Sequence, residues 1–187
     1  MFNLKLILVG DGAVGKTSLR ECFLGKGFRS TYIRTVGADF SIKEEKIYDT
    51  LFRYQIWDLA GQVIFQKVIK MYYKGADGAL VVFDITRPST FENIEFWIHE
   101  IFKNSEKAIP IILLGNKVDI HDEGEVTHIN KSQVGDYIKK LEEIFKEKLN
   151  GWESIKYFET SAKTGFQVEE AFHELGEMLF QIKTENY

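Results

Sequence analysis

At 187 residues, 44% hydrophobic and 28% charged, the chain is long enough for a full core and too apolar for a disordered or fibrous protein. A formal net charge of -4 gives its surface no general attraction for nucleic acid or anionic lipid, so any phosphate it binds must be gripped locally. Cys22 is the only cysteine, which excludes an internal disulfide, and no window approaches the roughly 18 apolar residues of a membrane span. These features point to a cytoplasmic protein with a single domain over residues 1–187.

The first element is an apolar, β-branched run from Leu4 to Val9, which reads as a strand and leads straight into GDGAVGKTS. Gly10, Gly15, Lys16 and Thr17 fit the spacing G-x-x-x-x-G-K-[ST] at a strand-to-helix junction. There glycines let the backbone turn its N–H groups onto phosphate oxygens, the helix N-terminus adds partial positive charge, and Lys16 adds a full one. Asp11, Gly12, Ala13, Val14 and Ser18 complete the cradle, and the Thr17 hydroxyl is placed to meet Mg²⁺.

Phe40 to Tyr48 alternates apolar and charged residues, as a half-exposed edge strand does, and turns through Asp49 and Thr50 into a strand at Leu51 to Trp57. Further strands are expected at Ala79 to Phe83, Ile109 to Leu114 and Ile155 to Phe158. Ser89 and Glu92 stand at capping-box spacing before a helix that turns Phe91, Ile94, Trp97, Ile98 and Ile101 inward. Apolar residues from Val134 to Leu149 recur at threes and fours up to a stop at Asn150-Gly151, and Val168 to Ile182 forms the last helix. The alternation predicts an α/β fold: a mostly parallel six-stranded sheet with one antiparallel edge strand and helices on both faces. In such sheets the ligand lies outside the carboxyl ends of the strands.

A phosphate cradle is indifferent to the base, which must be read elsewhere. GNKVD follows the strand ending at Leu114, and ETSAK follows the strand near Tyr157. Guanine presents N1–H and N2–H₂ side by side to one carboxylate, here Asp119, whereas the N1 acceptor of adenine would be repelled. Lys117, beside Asn116, can lay its aliphatic stem over the ring, and a backbone N–H near Ala162, between Ser161 and Lys163, can donate to O6. Alone, Asn-Lys-Val-Asp also makes an ordinary turn.

Together GDGAVGKTS, TVGADF, WDLAGQ, GNKVD and ETSAK stand in the order and approximate spacing of Ras-superfamily small GTPases. With GADF, MYYKGADGALVVFDIT and STFENIEFW added, the chain resembles the Rab branch over nearly its whole length. The resemblance implies the P-loop NTPase fold of a small G protein and a switch that binds GTP and GDP with Mg²⁺, slowly hydrolysing GTP in trafficking or signalling. It implies that Thr35 sets its hydroxyl on Mg²⁺ and its N–H on the γ-phosphate, and that Asp58 holds Mg²⁺ through water. Gly61 would meet the γ-phosphate, Phe28 would flank the guanine and Tyr32 would cover the phosphates. Gln62 stands where the family orients the attacking water, so Gln62, Lys16 and Thr35 are the expected catalytic set.

By the same resemblance, effectors meet Phe40, Trp57 and Tyr72, although these also read as ordinary half-buried aromatics. No switch arginine can be assigned as a finger in cis, so an activating protein, an exchange partner and a monomeric switch are expected. Departures from the Rab pattern are Arg34 for the usual proline and Val63-Ile64 for Glu-Arg, an apolar pair that either faces a partner or folds inward. The stretch from Asp119 to Ser161 is longer than usual, and its helix either docks a partner or is simply solvated. The final QIKTENY lacks the lipid-bearing cysteine, which fits a truncated chain or a lineage without prenylation, such as an archaeon. His99, His121, His128 and His173 form no metal-ligand grouping. Two rivals remain: an ATP-using P-loop kinase, disfavoured by Asp119, and a scaffold that holds GTP without hydrolysis, disfavoured by Gln62.

Overall fold

The computed structural model describes residues 1–28, 35–61, 66–120, 128–149 and 155–185. Strands β1 (Phe2–Val9), β2 (Ala38–Ile47), β3 (Thr50–Leu59), β4 (Gly78–Asp84), β5 (Ile111–Asn116) and β6 (Lys156–Thr160) form one sheet in the order β2-β3-β1-β4-β5-β6. β2 pairs antiparallel with β3 and the other pairings are parallel, as expected. The helices among the described residues are α1 (Lys16–Phe23), α2 (Gln66–Tyr73), α3 (Pro88–Glu92), α4 (Ile94–Asn104), α5 (Lys131–Ile144), α6 (Lys146–Leu149) and α7 (Val168–Glu185).

The central strands are apolar on both faces because helices cover both. Leu6 and Leu8 of β1 pack with Leu80, Val82, Ile112 and Leu114 against Leu19 and Phe23 of α1 and Phe172 and Leu175 of α7. Ile7 and Val9 point the other way, with Val81, Phe83 and Leu113, toward Trp97, Ile98 and Ile101 of α4 and Val134 and Leu141 of α5. Phe23 and Phe172 stack at 3.9 Å, joining α1 to α7.

Three expected boundaries move for local reasons. Pro110 has no N–H for the ladder, so β5 starts at Ile111 rather than Ile109, although Ile109 stays buried. Ile155 spends its N–H on Glu142 Oε1 at 2.9 Å, so β6 begins at Lys156. Ile47 pairs with Thr50, so the hairpin turns through Tyr48 and Asp49, with Tyr48 left-handed at φ 52. The Tyr48 ring lies on Phe180 of α7 at 5.2 Å and its hydroxyl donates to Glu177 at 3.0 Å, contacts that offset the strained backbone.

The capping box expected at Ser89 and Glu92 does not form. Pro88, whose φ is fixed for a first helical position, starts α3 so that the N-cap is Arg87, two residues before Ser89, with no side-chain cap. The capping box that does form is Asn130 with Gln133 at the head of α5. The long helix expected through Leu149 breaks at Phe145 into α5 and α6, and the Asn150-Gly151 stop lies outside the described residues.

α7 approaches the β2–β3 hairpin most closely at Gly176, where a Cβ would sit 2.1 Å from the Tyr54 hydroxyl and 2.3 Å from Ile47 Cδ1. Tyr54 and Ile47 are both buried and have little room to retreat. Gly176→Ala gains about 1 kcal/mol of helix propensity but overpacks this contact by about 1–3 kcal/mol. A net loss is expected in urea unfolding, and a variant as stable as the parent would contradict the packing argument.

Candidate functional site

The carboxyl ends of β1, β3, β4, β5 and β6 share one edge of the sheet, and the polar groups that the core excludes collect there. After Val9 the chain leaves β1 through Gly10 at φ 138, Ala13 at φ 61 and Gly15 at φ 101, then enters α1 at Lys16. Alternating left- and right-handed residues of this kind aim successive N–H groups at a common centre, where the N-terminus of α1 also points. Gly15 is required for a second reason: a Cβ there would lie 2.3 Å from Asn116 Nδ2.

Lys16 is 6% exposed, and its ammonium donates to the carbonyls of Gly10 and Asp11, both at 2.7 Å. Burial pulls its pKa down to about 8, against the opposing pull of the Asp58 and Asp11 carboxylates. An ammonium in so dry a place would gain from a polyanion such as a polyphosphate in the cradle. Asp11 contributes only its main chain: its carboxylate turns away to accept from Trp97 Nε1 and Asn93 Nδ2, both at 2.8 Å. Ser18 follows in the first turn of α1.

Beside Lys16 lies a corner of oxygens. Thr17 Oγ1 is 3.0 Å from Thr35 Oγ1 and donates to Asp58 Oδ2 in a short hydrogen bond. Asp58 is fully buried, and its Oδ1 meets no hydrogen-bond partner among the described residues. Burial raises its pKa, opposed by the Thr17 hydrogen bond and Lys16. Two hydroxyls and an orphaned carboxylate oxygen form a hard, incomplete set of oxygen donors of the kind that could hold a divalent ion such as Mg²⁺. Among the described residues no group of three or more His, Cys, Asp or Glu stands together to hold an ion. Gly61 abuts the cradle so closely that a Cβ would lie 2.2 Å from the Gly10 carbonyl oxygen.

The residues expected to read the base gather at the ends of β5 and β6. Asn116, 1% exposed, donates from Nδ2 to the Val14 carbonyl at 2.8 Å. Its Oδ1 accepts from the Ala162 N–H at 3.2 Å and the Thr160 hydroxyl at 3.3 Å. The Ala162 N–H expected to meet guanine O6 is thus turned onto Asn116. Asp119 Oδ1 accepts from Ser161 Oγ at 2.6 Å, and Lys163 Nζ stands 3.8 Å from Oδ2. Lys117 is left-handed at φ 74 and sends its ammonium to Asp84 Oδ2 at 2.6 Å. Phe28 is exposed beyond α1.

Of the expected residues, Tyr32 and Gln62 lie outside the described residues, as do Arg34, Val63 and Ile64. Phe40, Trp57 and Tyr72 meet as a continuous row, with ring centroids 4.8 Å and 5.0 Å apart. Sequence reasoning missed Asp84, Arg87, Asn93 and Trp97, which brace the cradle from behind, and Arg20, buried and paired with Asp39 at 2.6 Å. One signal was available for Asp84: it is a lone carboxylate at the carboxyl end of the otherwise apolar GALVVFD.

The model of the Ras family matches residues 5–181. Ras-related protein Rab-10 of Diplobatis ommata is 38% identical over 177 residues, spanning 95% of this chain and 81% of that protein. Ras-related protein Rab-13 of Mesocricetus auratus is 39% identical over 171 residues, spanning 91% and 77%. Ras-related protein RABG3f of Arabidopsis thaliana is 41% identical over 177 residues, spanning 90% and 78%.

Asn116 tests the joint between the two halves of the site. Asn116→Ala strands the Val14 carbonyl and the Ala162 N–H, so a loss of about 1–3 kcal/mol in stability is expected in thermal unfolding. Weaker GDP binding is expected by calorimetry, and unchanged values in both measurements would contradict the role given to the amide.

Proposed function

From a chain that belongs to the Ras family, and is a GTP-binding, GTP-hydrolysing switch of Rab type, we propose a cycle run by the residues gathered at the sheet edge. Lys16 and the main chain of residues 11–16 hold the β- and γ-phosphates and take up the charge that develops as water attacks the γ-phosphorus. The bond from that phosphorus to the β–γ bridging oxygen breaks, and GDP and phosphate leave. The hydroxyls of Thr17 and Thr35 would hold Mg²⁺, with Asp58 doing so through water. When bound, the ion neutralises charge on the phosphate oxygens. Gln62 orients the water, while the N–H groups of Thr35 and Gly61 grip the γ-phosphate and let go once it has left. At the other end Asp119, steadied by Ser161, reads N1–H and N2–H₂ of guanine, with Phe28, Lys117 and Lys163 about the ring.

What supports this reading above all is the oxygen corner of Thr17, Thr35 and Asp58 beside the Lys16 ammonium. An activating protein then supplies the missing cation, an exchange partner opens the site, and effectors dock on Phe40, Trp57 and Tyr72. The whole chain acts as one monomeric domain in the cytoplasm. No helix among the described residues is long and apolar enough to cross a membrane.

Two substitutions test the two ends of the site. Asp119→Asn is expected to weaken GDP binding about 30-fold or more, the cost of losing a charge-assisted pair of contacts, and to improve xanthine nucleotide binding. Unchanged affinity for guanine would end the base-reading assignment. Gln62→Leu is expected to slow single-turnover phosphate release about tenfold, and equal rates would remove Gln62 from the mechanism.

A further inference from the structure

Asp84 closes β4, whose other residues are all buried and apolar or glycine, and it is itself 1% exposed. A carboxylate in that position must be fully paired to remain charged. Its Oδ1 accepts from the Thr86 N–H at 3.0 Å and the Thr86 hydroxyl at 2.7 Å. Its Oδ2 receives Arg87 Nε at 3.1 Å and Lys117 Nζ at 2.6 Å. Burial alone would raise the pKa of Asp84, but hydrogen bonds from Lys117 and Thr86 outweigh it and hold the group below its ordinary value.

Both cations belong to larger connections. Arg87 extends Nη2 to the Gly12 carbonyl at 2.9 Å, so one guanidinium grips Asp84 and the phosphate loop together. Lys117 lies in the loop after β5 and holds its left-handed backbone at φ 74. The phosphate loop follows β1 and the base loop follows β5, and in the sheet β4 lies between those two strands. Asp84 is therefore the strand-end charge that stands between the two loops.

We propose that Asp84 is a positioning residue that couples the phosphate loop to the base loop, through Arg87 and Lys117, and so governs how long a guanine nucleotide stays bound. This rests on the reading of residues 10–18 and 116–119 as phosphate and base loops. If either loop opens, the buried carboxylate loses a counter-ion in a dry place, so opening is resisted from both sides. The γ-phosphate plays no part, and the effect is the same for GDP and GTP.

The experiment follows release of a fluorescent GDP analogue from the full chain in Mg²⁺, chased with excess GDP, and repeats it with a non-hydrolysable GTP analogue. Asp84→Asn keeps the size and removes the charge; release is expected to quicken about tenfold or more for both nucleotides. Asp84→Glu keeps the charge at the cost of fit and is expected to fall between the parent and Asp84→Asn. Arg87→Ala, at a side chain 41% exposed, avoids the risk of misfolding and is expected to quicken release about threefold or more. Added to Asp84→Asn it changes release less than about twofold, because its hold runs through the same carboxylate.

Release from Asp84→Asn within about twofold of the parent overturns the coupling, as does a double variant whose effect is the product of the single effects. A Glu variant faster than the Asn variant assigns the site to shape rather than charge and also overturns it. A parent that retains no guanine nucleotide overturns the underlying reading instead, a result distinct from a parent that retains GDP with variants indistinguishable from it.

Discussion

Parallel pairing of β3, β1, β4, β5 and β6 is the constraint from which the rest follows. It sends the carboxyl ends of those strands to one edge, where Asp58, Gly10, Asp84, Asn116 and Thr160 stand at or just beyond the strand ends. The central strands β1, β4 and β5 are largely apolar on both faces, so the middle of the sheet has little place for a charge and the edge receives most of the buried polar groups. Lys16, Asp58, Asp84, Asn116, Thr160 and Ser161 account for most of the buried polar side chains, and all belong to this edge. The site is thus the part of the core that was left polar.

Dryness gives those groups their chemistry. Each is buried enough that an unmatched charge is costly, and the structure answers with two different arrangements. Asp84 is matched by protein donors, whose hydrogen bonds hold its carboxyl below its ordinary value. Asp58 and Lys16 are matched only in part: one carboxylate oxygen is orphaned, and the ammonium is met by neutral carbonyls. The complete set braces the frame, while the incomplete set gains from a polyanion and a divalent ion. Placing them side by side lets a rigid support carry a reactive centre.

Legibility in the sequence followed contiguity. The phosphate cradle is readable because nine successive residues carry the whole device, and Asn116 to Asp119 and Ser161 to Lys163 are short runs of the same kind. The strand count and the antiparallel edge followed from alternation against continuous apolar runs. What escaped depends on distances that sequence does not hold. Asp84 meets Lys117 only because β4 and β5 are neighbours, and Trp97 meets Asp11 only because α4 crosses beneath the cradle. Boundaries failed where one atom outvoted a pattern: the missing N–H of Pro110 shortened β5, and the fixed φ of Pro88 displaced the cap expected at Ser89. The tenfold effect expected of Asp84→Asn would have been invisible to motif reading for the same reason.

The hairpin carries information from the metal corner outward. Asp58 lies opposite Asp39 in the β2–β3 ladder, and the next pair along is Trp57 with Phe40. Successive residues of a strand face opposite sides, so the carboxylate that faces the phosphates and the tryptophan of the aromatic row are adjacent in the chain yet on opposite faces. Arg20 reaches from α1 to hold Asp39, and the Ala60 N–H closes the mouth of the hairpin on the Gly37 carbonyl at 2.8 Å. Under the proposed cycle, Thr35 and Gly61 let go of phosphate at points two residues before Gly37 and one after Ala60. Their release therefore acts at that closure, two steps along the ladder from the Asp39–Asp58 pair and three from the Phe40–Trp57 pair of the aromatic row. Under the same proposal, a partner resting on Phe40, Trp57 and Tyr72 would read the state of the phosphates through the hairpin backbone, without touching the nucleotide.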